Sequence, residues 1–332
     1  MRANVAERLL QHYVDKSRDL PWRSRPGMPP PDPYRVWLSE VMLQQTTVAA
    51  VAPRFERFVE RWPTVEALGA ATDEEVLFEW AGLGYYARAR NLIACARQVA
   101  ARGGFPDNEA QLRKLPGVGD YAAAAIAAIA FGQRAIVIDS NVERIAARLN
   151  ALPAPARSEL REAVDAITPD QRCGDFAQAL MDLGATICRP RSPLCGECPV
   201  AIDCQAFASG APQSFPAARP KKAKPVRHGT AYWVERANLV WLVRRPPRGL
   251  LGGMVALPGC DWTDDTANAA AAIARVRHVF THFTLELAVV AAGDPPGEGW
   301  WQPIDSLSDA GLPTLYRRAA GAVLETRARL AA

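Results

Sequence analysis

Hydrophobic residues recur with a helical period over most of the first 210 positions. The clearest helical patterns cover residues 34–51, 73–83, 86–102 and 121–132. The first of these contains no internal Gly or Pro and predicts one uninterrupted helix. The last is rich in alanine, and small side chains allow neighbouring helices to pack closely. The pattern predicts a mostly α-helical N-terminal domain over residues 1–208.

The pattern changes in the last third of the chain. Residues 209–228 contain four prolines and a basic run with Lys221, Lys222 and Lys224, which is the composition of a linker. Residues 231–246 alternate like two strands joined by a turn, and residues 282–292 predict another strand. A smaller α/β domain is therefore expected over residues 229–332.

Length and composition agree with a soluble two-domain protein. The chain has 332 residues, of which 49% are hydrophobic and 22% charged. No apolar run approaches the roughly 18 residues that a membrane span requires, and the N-terminus is charged without an apolar signal segment. We therefore expect a cytoplasmic monomer that does not bind membranes. The net charge of +4 permits binding to a polyanion without demonstrating it.

Four of the seven cysteines crowd into residues 188–204 with the spacing C-x6-C-x2-C-x5-C. Inside a cell, such a group is more often a metal site than a disulfide framework. Four thiolates can hold zinc or a 4Fe–4S cube. Zinc sites usually pair two C-x2-C knuckles, and only one is present, so the spacing is not typical of zinc, although both metals stay possible. The predicted ligands are Cys188, Cys195, Cys198 and Cys204.

The segment LPGVGDY, residues 115–121, separates two helical patterns. Gly117 and Gly119 allow a tight turn whose backbone N–H groups point outward, and Asp120 can cap the following helix. Such a turn before a helix N-terminus binds a phosphate oxygen readily. An ordinary helix–turn–helix connection is the alternative.

Two carboxylates lie in contrasting surroundings. Glu40 has apolar neighbours in mid-helix, so desolvation should raise its pKa and suit it to be a general acid. Asp139 precedes Ser140 and Glu143, which predict a capping box, and the positive end of that helix favours an ionised carboxylate. From spacing alone, a solvated glutamate and a simple helix cap are the more common interpretations.

Several of these motifs together resemble one family. The cysteine spacing and LPGVG are similar to the helix–hairpin–helix superfamily that includes endonuclease III. The segments SEVMLQQTTV (39–48) and IDSNVERI (138–145) resemble the adenine DNA glycosylase (MutY) family, with Ser140 in place of the usual glycine. The resemblance implies two helical modules flanking an active-site cleft, a hairpin at about 109–132 and a 4Fe–4S loop at 188–204. It also implies a Nudix-like C-terminal domain, here without a magnesium-binding box.

The resemblance also implies a reaction. Glu40 would be the general acid and Asp139 would stabilise the oxocarbenium-like sugar, with Asn141 in support. Tyr121 occupies the position where strand-cleaving relatives have lysine, so the enzyme would hydrolyse the base and leave the strand intact. The expected substrate is double-stranded DNA with adenine opposite 8-oxoguanine or guanine. A pyrimidine-lesion lyase and a non-catalytic DNA sensor are the alternatives.

The remaining expected contacts also come from the resemblance. The adenine must be flipped out of the duplex, and its pocket would be lined by Arg18, Leu20, Trp22 and Arg23. The residues expected at the estranged base are Gln45, Thr46, Leu83 and Tyr85. Gly117 and Gly119 are expected to bind a phosphate at the hairpin. The residues expected to contact 8-oxoguanine are Phe280, Thr281 and His282. Thr281 stands where the family has serine and keeps the hydroxyl.

Overall fold

A computed structural model describes residues 2–218, 223–246, 249–263 and 271–331. The chain forms two compact units, one drawn from Met1–Ala71 and Asn91–Pro220 and the other from Thr72–Arg90 and Lys221–Ala332. The predicted domain division placed residues 72–90 with the helical domain, whereas in the structure they pack in the second unit. Lys221 and Lys222 of the predicted basic linker lie outside the described residues.

The described residues before 212 are helical with short connections. The α-helices of the chain, in order, are α1 (Arg2–Lys16), α2 (Pro33–Leu43), α3 (Val48–Arg61), α4 (Val65–Ala70), α5 (Asp73–Trp80), α6 (Ala87–Arg102), α7 (Glu109–Leu112), α8 (Asp120–Phe131), α9 (Ser140–Leu149), α10 (Arg157–Asp165), α11 (Cys173–Thr186), α12 (Gln205–Ala208) and α13 (Thr314–Ala331). Short 3-10 helices cover Cys195–Glu197, Ala201–Asp203, Pro212–Ser214 and Ile304–Asp309.

The alanine-rich helix α8 lies at the centre of the first unit. Residues 122–130 are all buried, and α8 packs against both α2 and α11. Small side chains permit this close packing: a Cβ at Gly174 of α11 would lie 2.6 Å from the carbonyl oxygen of Ala128. A second apolar cluster joins α1, α9, α10 and α11. Together these contacts fix the relative positions of α2, α8, α9 and α11.

One predicted helix is two helices in the structure. The pattern over 34–51 predicted continuity, but α2 ends at Leu43 and α3 begins at Val48. Gln45 between them adopts the left-handed conformation with φ 60°. No Gly or Pro marks this break, so the sequence carried no local signal for it. The other three predicted helices correspond to α5, α6 and α8 within a few residues.

The second unit contains a six-stranded mixed sheet. Its strands are β1 (Val226–Arg236), β2 (Leu239–Arg244), β3 (Val255–Ala256), β4 (Ala272–Val279), β5 (Thr284–Ala292) and β6 (Trp300–Pro303). The order is β3-β2-β1-β5-β4, with β6 also paired to β2. Among the described strands, only β1 and β5 pair in parallel, starting with Val226 beside Thr284. The predicted hairpin is β1–β2, whose turn residues Ala237 and Asn238 both have positive φ.

A core of β-strand side chains and α13 completes the second unit. Val240, Leu242, Leu285 and Val289 of the sheet are fully buried with Ala319 of α13. The mostly helical N-terminal part and the α/β C-terminal part confirm the predicted fold class. Among the described residues, no helix combines the length and the apolar composition needed to cross a bilayer.

Candidate active site

A cavity of about 570 Å³ opens in the first unit between α2, α8, α9, α11 and the segment before α2. It brings together side chains that are far apart in the sequence. The predicted residues that line it are Arg18, Leu20, Trp22, Arg23, Glu40, Gln45, Thr46, Tyr121, Asp139 and Asn141. Both candidate catalytic carboxylates therefore face one cavity.

Glu40 is buried in α2 and 6% exposed. Burial raises the pKa of its carboxyl from 4.5 to about 7. A hydrogen bond with the Tyr121 side chain lowers this pKa, the charge of Asp139 raises it, and Arg23 lowers it slightly. The carboxyl therefore holds a proton near neutral pH, which is the state that a general acid requires.

Tyr121 is in the first turn of α8, and its hydroxyl lies 4.0 Å from the sulfur of Met181. Burial raises the pKa of Tyr121 well above its usual range, and the charges of Glu40 and Asp139 add to the rise. The phenol is therefore neutral throughout the physiological pH range. It can donate a hydrogen bond in the cavity but has no amine with which to attack a sugar.

Asp139 is the N-cap of α9. Its Oδ1 accepts a hydrogen bond from the backbone N–H of Val142 at 2.7 Å, and its Oδ2 accepts one from Nδ2 of Asn141 at 2.9 Å. The predicted capping box placed the cap at Ser140, and this is wrong by one residue because the Asp139 side chain reaches the backbone donor first. Both oxygens are thus held at the positive end of a helix.

Asp182 of α11 holds the two arginines that were expected to line the adenine pocket. Arg23 donates to both oxygens of Asp182 at 2.8 and 3.0 Å, while Arg18 donates from Nε at 2.6 Å and from its backbone N–H at 3.0 Å. Burial alone would raise the pKa of Asp182, but these contacts with Arg23 and Arg18 outweigh it and lower the pKa. The arginines therefore form a fixed wall of the cavity.

Two polar residues of α11 were not among the sequence predictions. Gln178 lines the cavity, and Asp182 follows it by one helical turn. Both are 6% exposed. Their spacing of four within the buried stretch 176–184 was the available signal, because it places two polar side chains on one buried face. Trp22 lines the cavity and also packs edge-to-face on Phe55.

The predicted hairpin lies between α7 and α8. Gly117 has φ 74°, and a Cβ there would lie 2.7 Å from Cβ of Asn91, so this position requires glycine. Gly119 has extended backbone and is the N-cap of α8. Asp120 was expected to be this cap; instead it pairs with Arg113 at 3.1 Å and Arg157 at 3.4 Å. Both glycines are exposed.

The cysteine segment is fastened to α9. Arg144 donates to the carbonyl oxygen of Cys188 at 2.7 Å and to Oδ1 of Asn141 at 2.9 Å. Arg148, 2% exposed, donates to the sulfur of Cys188 at 3.3 Å and to the carbonyl oxygen of Arg189 at 2.7 Å. One helix thus carries Asp139 at its start and holds the cysteine loop along its length.

The four cysteines of this loop are half-buried, free thiols. Burial raises the pKa of Cys198 to about 11, and the charges of the other three cysteine sulfurs raise it further. The four sulfurs are therefore close enough to interact electrostatically. Among the described side chains, no group of three or more His, Cys, Asp or Glu is placed to hold a single metal ion. Four thiols in one loop beside the cationic Arg148 have the donor chemistry of an iron–sulfur cluster.

The expected estranged-base and lesion contacts beyond Gln45 and Thr46 are in the second unit. Leu83 is buried, and Tyr85 is exposed with φ 48°. The hydroxyls of Tyr85 and Thr281 are hydrogen-bonded at 2.5 Å. Phe280 stacks on Trp262, His282 is exposed, and the carbonyl oxygen of Phe280 accepts a hydrogen bond from Lys224.

Comparison with known proteins decides the family. Residues 38–169 match the HhH-GPD superfamily base excision DNA repair protein, and residues 230–321 match the NUDIX domain. An adenine DNA glycosylase of Buchnera aphidicola subsp. Baizongia pistaciae is 32% identical over 255 residues, covering 74% of this chain and 70% of that protein. The chain belongs to the adenine DNA glycosylase family.

Some members of the adenine DNA glycosylase family match this chain over less than half of their own length. The Arabidopsis thaliana protein is 37% identical over 79% of this chain, and the human protein is 45% identical over 60% of it. This chain spans 48% of the first protein and 38% of the second.

Solved structures are similar over the helical part. A thermostable thymine-DNA glycosylase is 29% identical with a TM-score of 0.57, covering 63% of this chain and 97% of that one. Endonuclease III in a non-covalent DNA complex is 25% identical with a TM-score of 0.52, covering 62% and 94%.

Proposed function

We propose that this chain is a monofunctional DNA glycosylase that removes adenine paired with 8-oxoguanine or guanine in double-stranded DNA. The observation that carries the proposal is the meeting of Glu40, Asp139 and Tyr121 at one cavity, in a member of the adenine DNA glycosylase family. A cavity of about 570 Å³ is of the size that encloses a flipped base.

The proposed reaction uses the two carboxylates differently. Glu40 donates its proton to a ring nitrogen of the flipped adenine, because burial keeps that proton in place near neutral pH. The bond between the base and the sugar breaks, and its electron pair leaves with the adenine. Asp139, held by Val142 and Asn141, stabilises the cationic sugar until a water molecule adds to it and releases a proton.

Tyr121 supports hydrolysis rather than strand cleavage. A lyase needs an amine that bonds to the sugar, and the neutral phenol at this position has none. Tyr121 instead lines the same cavity as the Glu40 carboxyl and lowers the pKa of that carboxyl. The expected product is therefore an abasic site in an intact strand.

We also propose that Cys188, Cys195, Cys198 and Cys204 bind a 4Fe–4S cluster. Their thiol chemistry, their common loop and the neighbouring Arg148 support this assignment. When bound, the cluster would hold the loop in shape and present Arg189 and Arg191 to DNA phosphates; hydrolysis transfers no electrons. Measurement of iron, sulfide and zinc per chain tests the assignment, and zinc without iron would contradict it.

Recognition of the opposite base is assigned, within the second unit, to Tyr85, Leu83 and residues 280–282. Gln45 and Thr46 of the first unit are proposed separately as contacts of the estranged base. Tyr85, which is exposed, would enter the duplex beside the estranged base, and Leu83, which is buried, would support it from within the protein. Phe280, Thr281 and His282 would contact 8-oxoguanine. The hydrogen bond between Tyr85 and Thr281 supports a common site, because it joins the two predicted groups.

Single-turnover reactions test the function as a whole. Duplexes with adenine opposite 8-oxoguanine, guanine or thymine are incubated with the protein and then split into samples with and without alkali. We expect adenine release with the first two duplexes and strand scission only after alkali. Glu40→Gln keeps the shape of the side chain and should lower the rate by a factor of about 100 or more.

Each alternative gives a distinct result in these reactions. No adenine release from any duplex by the wild type would contradict the proposal and favour a DNA sensor. Strand scission without alkali would favour a lyase. A fully active Glu40→Gln protein would refute the assignment of the acid. The matched control is Glu60→Gln, at an exposed position of α3.

A further inference from the structure

Residues 82–85, called the wedge turn below, have an unusual backbone. Gly82, Gly84 and Tyr85 have φ values of 98°, 70° and 48°. The left-handed region is unfavourable for a residue with a Cβ, and most of all for a bulky one such as tyrosine. The Tyr85 side chain is also 46% exposed, so burial alone does not hold it. Other contacts must therefore fix the wedge turn.

Arg88, at the start of α6, makes several of these contacts. Its Nη2 donates to the carbonyl oxygens of Leu83 at 3.0 Å and Gly84 at 3.4 Å. Its guanidinium also lies 5.2 Å from the ring centre of Trp80 and 5.4 Å from that of Tyr85. One planar cation therefore binds the turn backbone through its edge and contacts two aromatic rings.

The neighbouring contacts hold other parts of the turn. The indole of Trp80 donates to the carbonyl oxygen of Gly84 at 3.0 Å, and the backbone N–H of Leu83 donates to the carbonyl oxygen of Trp80 at 3.1 Å. Thr281 contacts the hydroxyl at the far end of Tyr85. Among the described contacts, Arg88 is the charged group at the Tyr85 ring itself.

We infer that Arg88 is a positioning residue that holds the Tyr85 ring in the conformation needed to enter the duplex beside the estranged base. This inference rests on the proposed function for the role of Tyr85 alone. Arg88 itself stays on the protein side of the turn. Preorganisation of the ring avoids an ordering penalty at the moment of binding, so it strengthens DNA binding without a contact of its own to DNA.

Hydrogen exchange in the DNA-free protein tests the positioning directly. Arg88→Met removes the cation, and Arg88→Lys keeps the charge but cannot bind both carbonyls and stack at the same time. We expect amides of residues 83–88 to exchange about tenfold faster in Arg88→Met, with a smaller increase in Arg88→Lys. Arg102→Met, at the exposed end of the same helix, is the matched control and should leave these amides unchanged.

Exchange rates that are equal in wild type and both Arg88 variants would overturn the inference. This measurement does not depend on catalysis, so a failure of the proposed function would leave its result intact. Exchange of amides in β1 and β5 reports whether the variants remain folded, since those strands form the parallel pair of the sheet.

A double-mutant cycle tests whether Arg88 acts through Tyr85. The duplex carries 8-oxoguanine opposite a 2′-fluoroadenosine that resists hydrolysis, with 2-aminopurine next to the 8-oxoguanine as a fluorescent reporter of unstacking. We expect Arg88→Met to weaken binding about tenfold and to reduce the fluorescence change. In a Tyr85→Ala background the same substitution should have little effect.

An equal loss of affinity in both backgrounds would overturn the inference, because it would mean that Arg88 contacts DNA independently of Tyr85. We also expect the logarithm of the binding constant to fall with the logarithm of salt concentration by the same slope for wild type and Arg88→Met. This slope reports the number of phosphate contacts. A lower slope for Arg88→Met would contradict the positioning role.

Discussion

At the residue scale, burial of Glu40 affects both the reaction and the stability of the fold. The same desolvation that raises its pKa to about 7 keeps the acid protonated and opposes its ionisation. The rate of adenine release should therefore fall as the pH rises through about 7, because the acid loses its proton there. The folded protein is also less stable at any pH where Glu40 is ionised.

The sign of this stability effect follows from the two pKa values. The folded value of about 7 lies above the unfolded value of 4.5. The stabilisation from protonated Glu40 is complete below pH 4.5 and is lost as the pH rises through 7. Glu40→Gln stays neutral at every pH. Its free energy of unfolding, minus that of wild type, should therefore rise by roughly 2 kcal/mol from pH 5 to pH 8.

Urea denaturation at both pH values measures this gain. Glu60→Gln changes an exposed glutamate of α3 and should show no such dependence. A difference between Glu40→Gln and wild type that is independent of pH would mean that Glu40 is already ionised in the fold at pH 5.

Sequence reasoning could place Glu40 and Asp139 because each has a local signal. Apolar neighbours on one helix predict burial, and a helix start predicts a cap. It could not pair Arg18 and Arg23 with Asp182, which is 164 and 159 residues away. Those ion pairs depend on how α11 packs, and a sequence pattern does not report the distance between helices.

At the scale of elements, Gly184 sets how closely α9 and α11 approach. A Cβ at this position would lie 2.4 Å from Cβ of Asn141, and the carbonyl oxygen of Gly184 accepts a hydrogen bond from Arg144 at 2.8 Å. The start of α9 carries Asp139, so the missing side chain at Gly184 also determines where the carboxylate lies.

Gly184→Ala should therefore impair both stability and reaction. The added methyl displaces Asn141 and costs about 1–3 kcal/mol of folding free energy. The single-turnover rate should fall more than DNA affinity, because Asn141 orients Asp139 rather than the duplex. Thermal unfolding and rates at saturating protein measure the two effects.

Gly321→Ala in α13 is the control, since a Cβ there meets no atom within 4 Å. It should preserve the rate and stabilise the helix slightly. A Gly184→Ala protein with wild-type rate would show that α11 can move aside without disturbing Asp139.

The elements themselves were mostly predictable, and the failures have separate causes. Regular periodicity located α5, α6 and α8, and the alternating pattern located β1, β2 and β5. The break between α2 and α3 was missed because Gln45 adopts a conformation usually marked by glycine. β3 and β6, which both pair with β2, have only two and four residues. Alternation of hydrophobic and polar residues over so short a stretch does not predict a strand.

At the scale of the whole molecule, the second unit is built from two separate stretches of chain. Residues 72–90 belong to it, although their hydrophobic residues recur with the same helical period as those of the first unit. Arg90 donates to the carbonyl oxygen of Gly252 at 2.7 Å, and Phe78 lies near Gly311. A local pattern predicts a helix but not the unit in which the helix packs, so this division could not be predicted from the sequence.

Arg90→Ala should destabilise the second unit selectively. Loss of a hydrogen bond from a charged donor costs about 1.5–3 kcal/mol and leaves the Gly252 carbonyl without this partner. Hydrogen exchange should quicken in residues 249–256 and stay unchanged in α8. Arg90→Lys should restore part of the protection, and equal quickening in α8 would show that the two units unfold together.

The divided second unit also has a consequence for protein synthesis. Arg90 precedes its partner Gly252 by 162 residues, and Tyr85 precedes Thr281 by 196 residues. At roughly 5–20 residues per second, a ribosome needs on the order of ten to forty seconds to deliver those partners. During that interval, the nascent chain emerges with residues 72–90 awaiting the rest of their unit. Slow codons or a chaperone bound late in translation would therefore lengthen the time before residues 72–90 meet their partners.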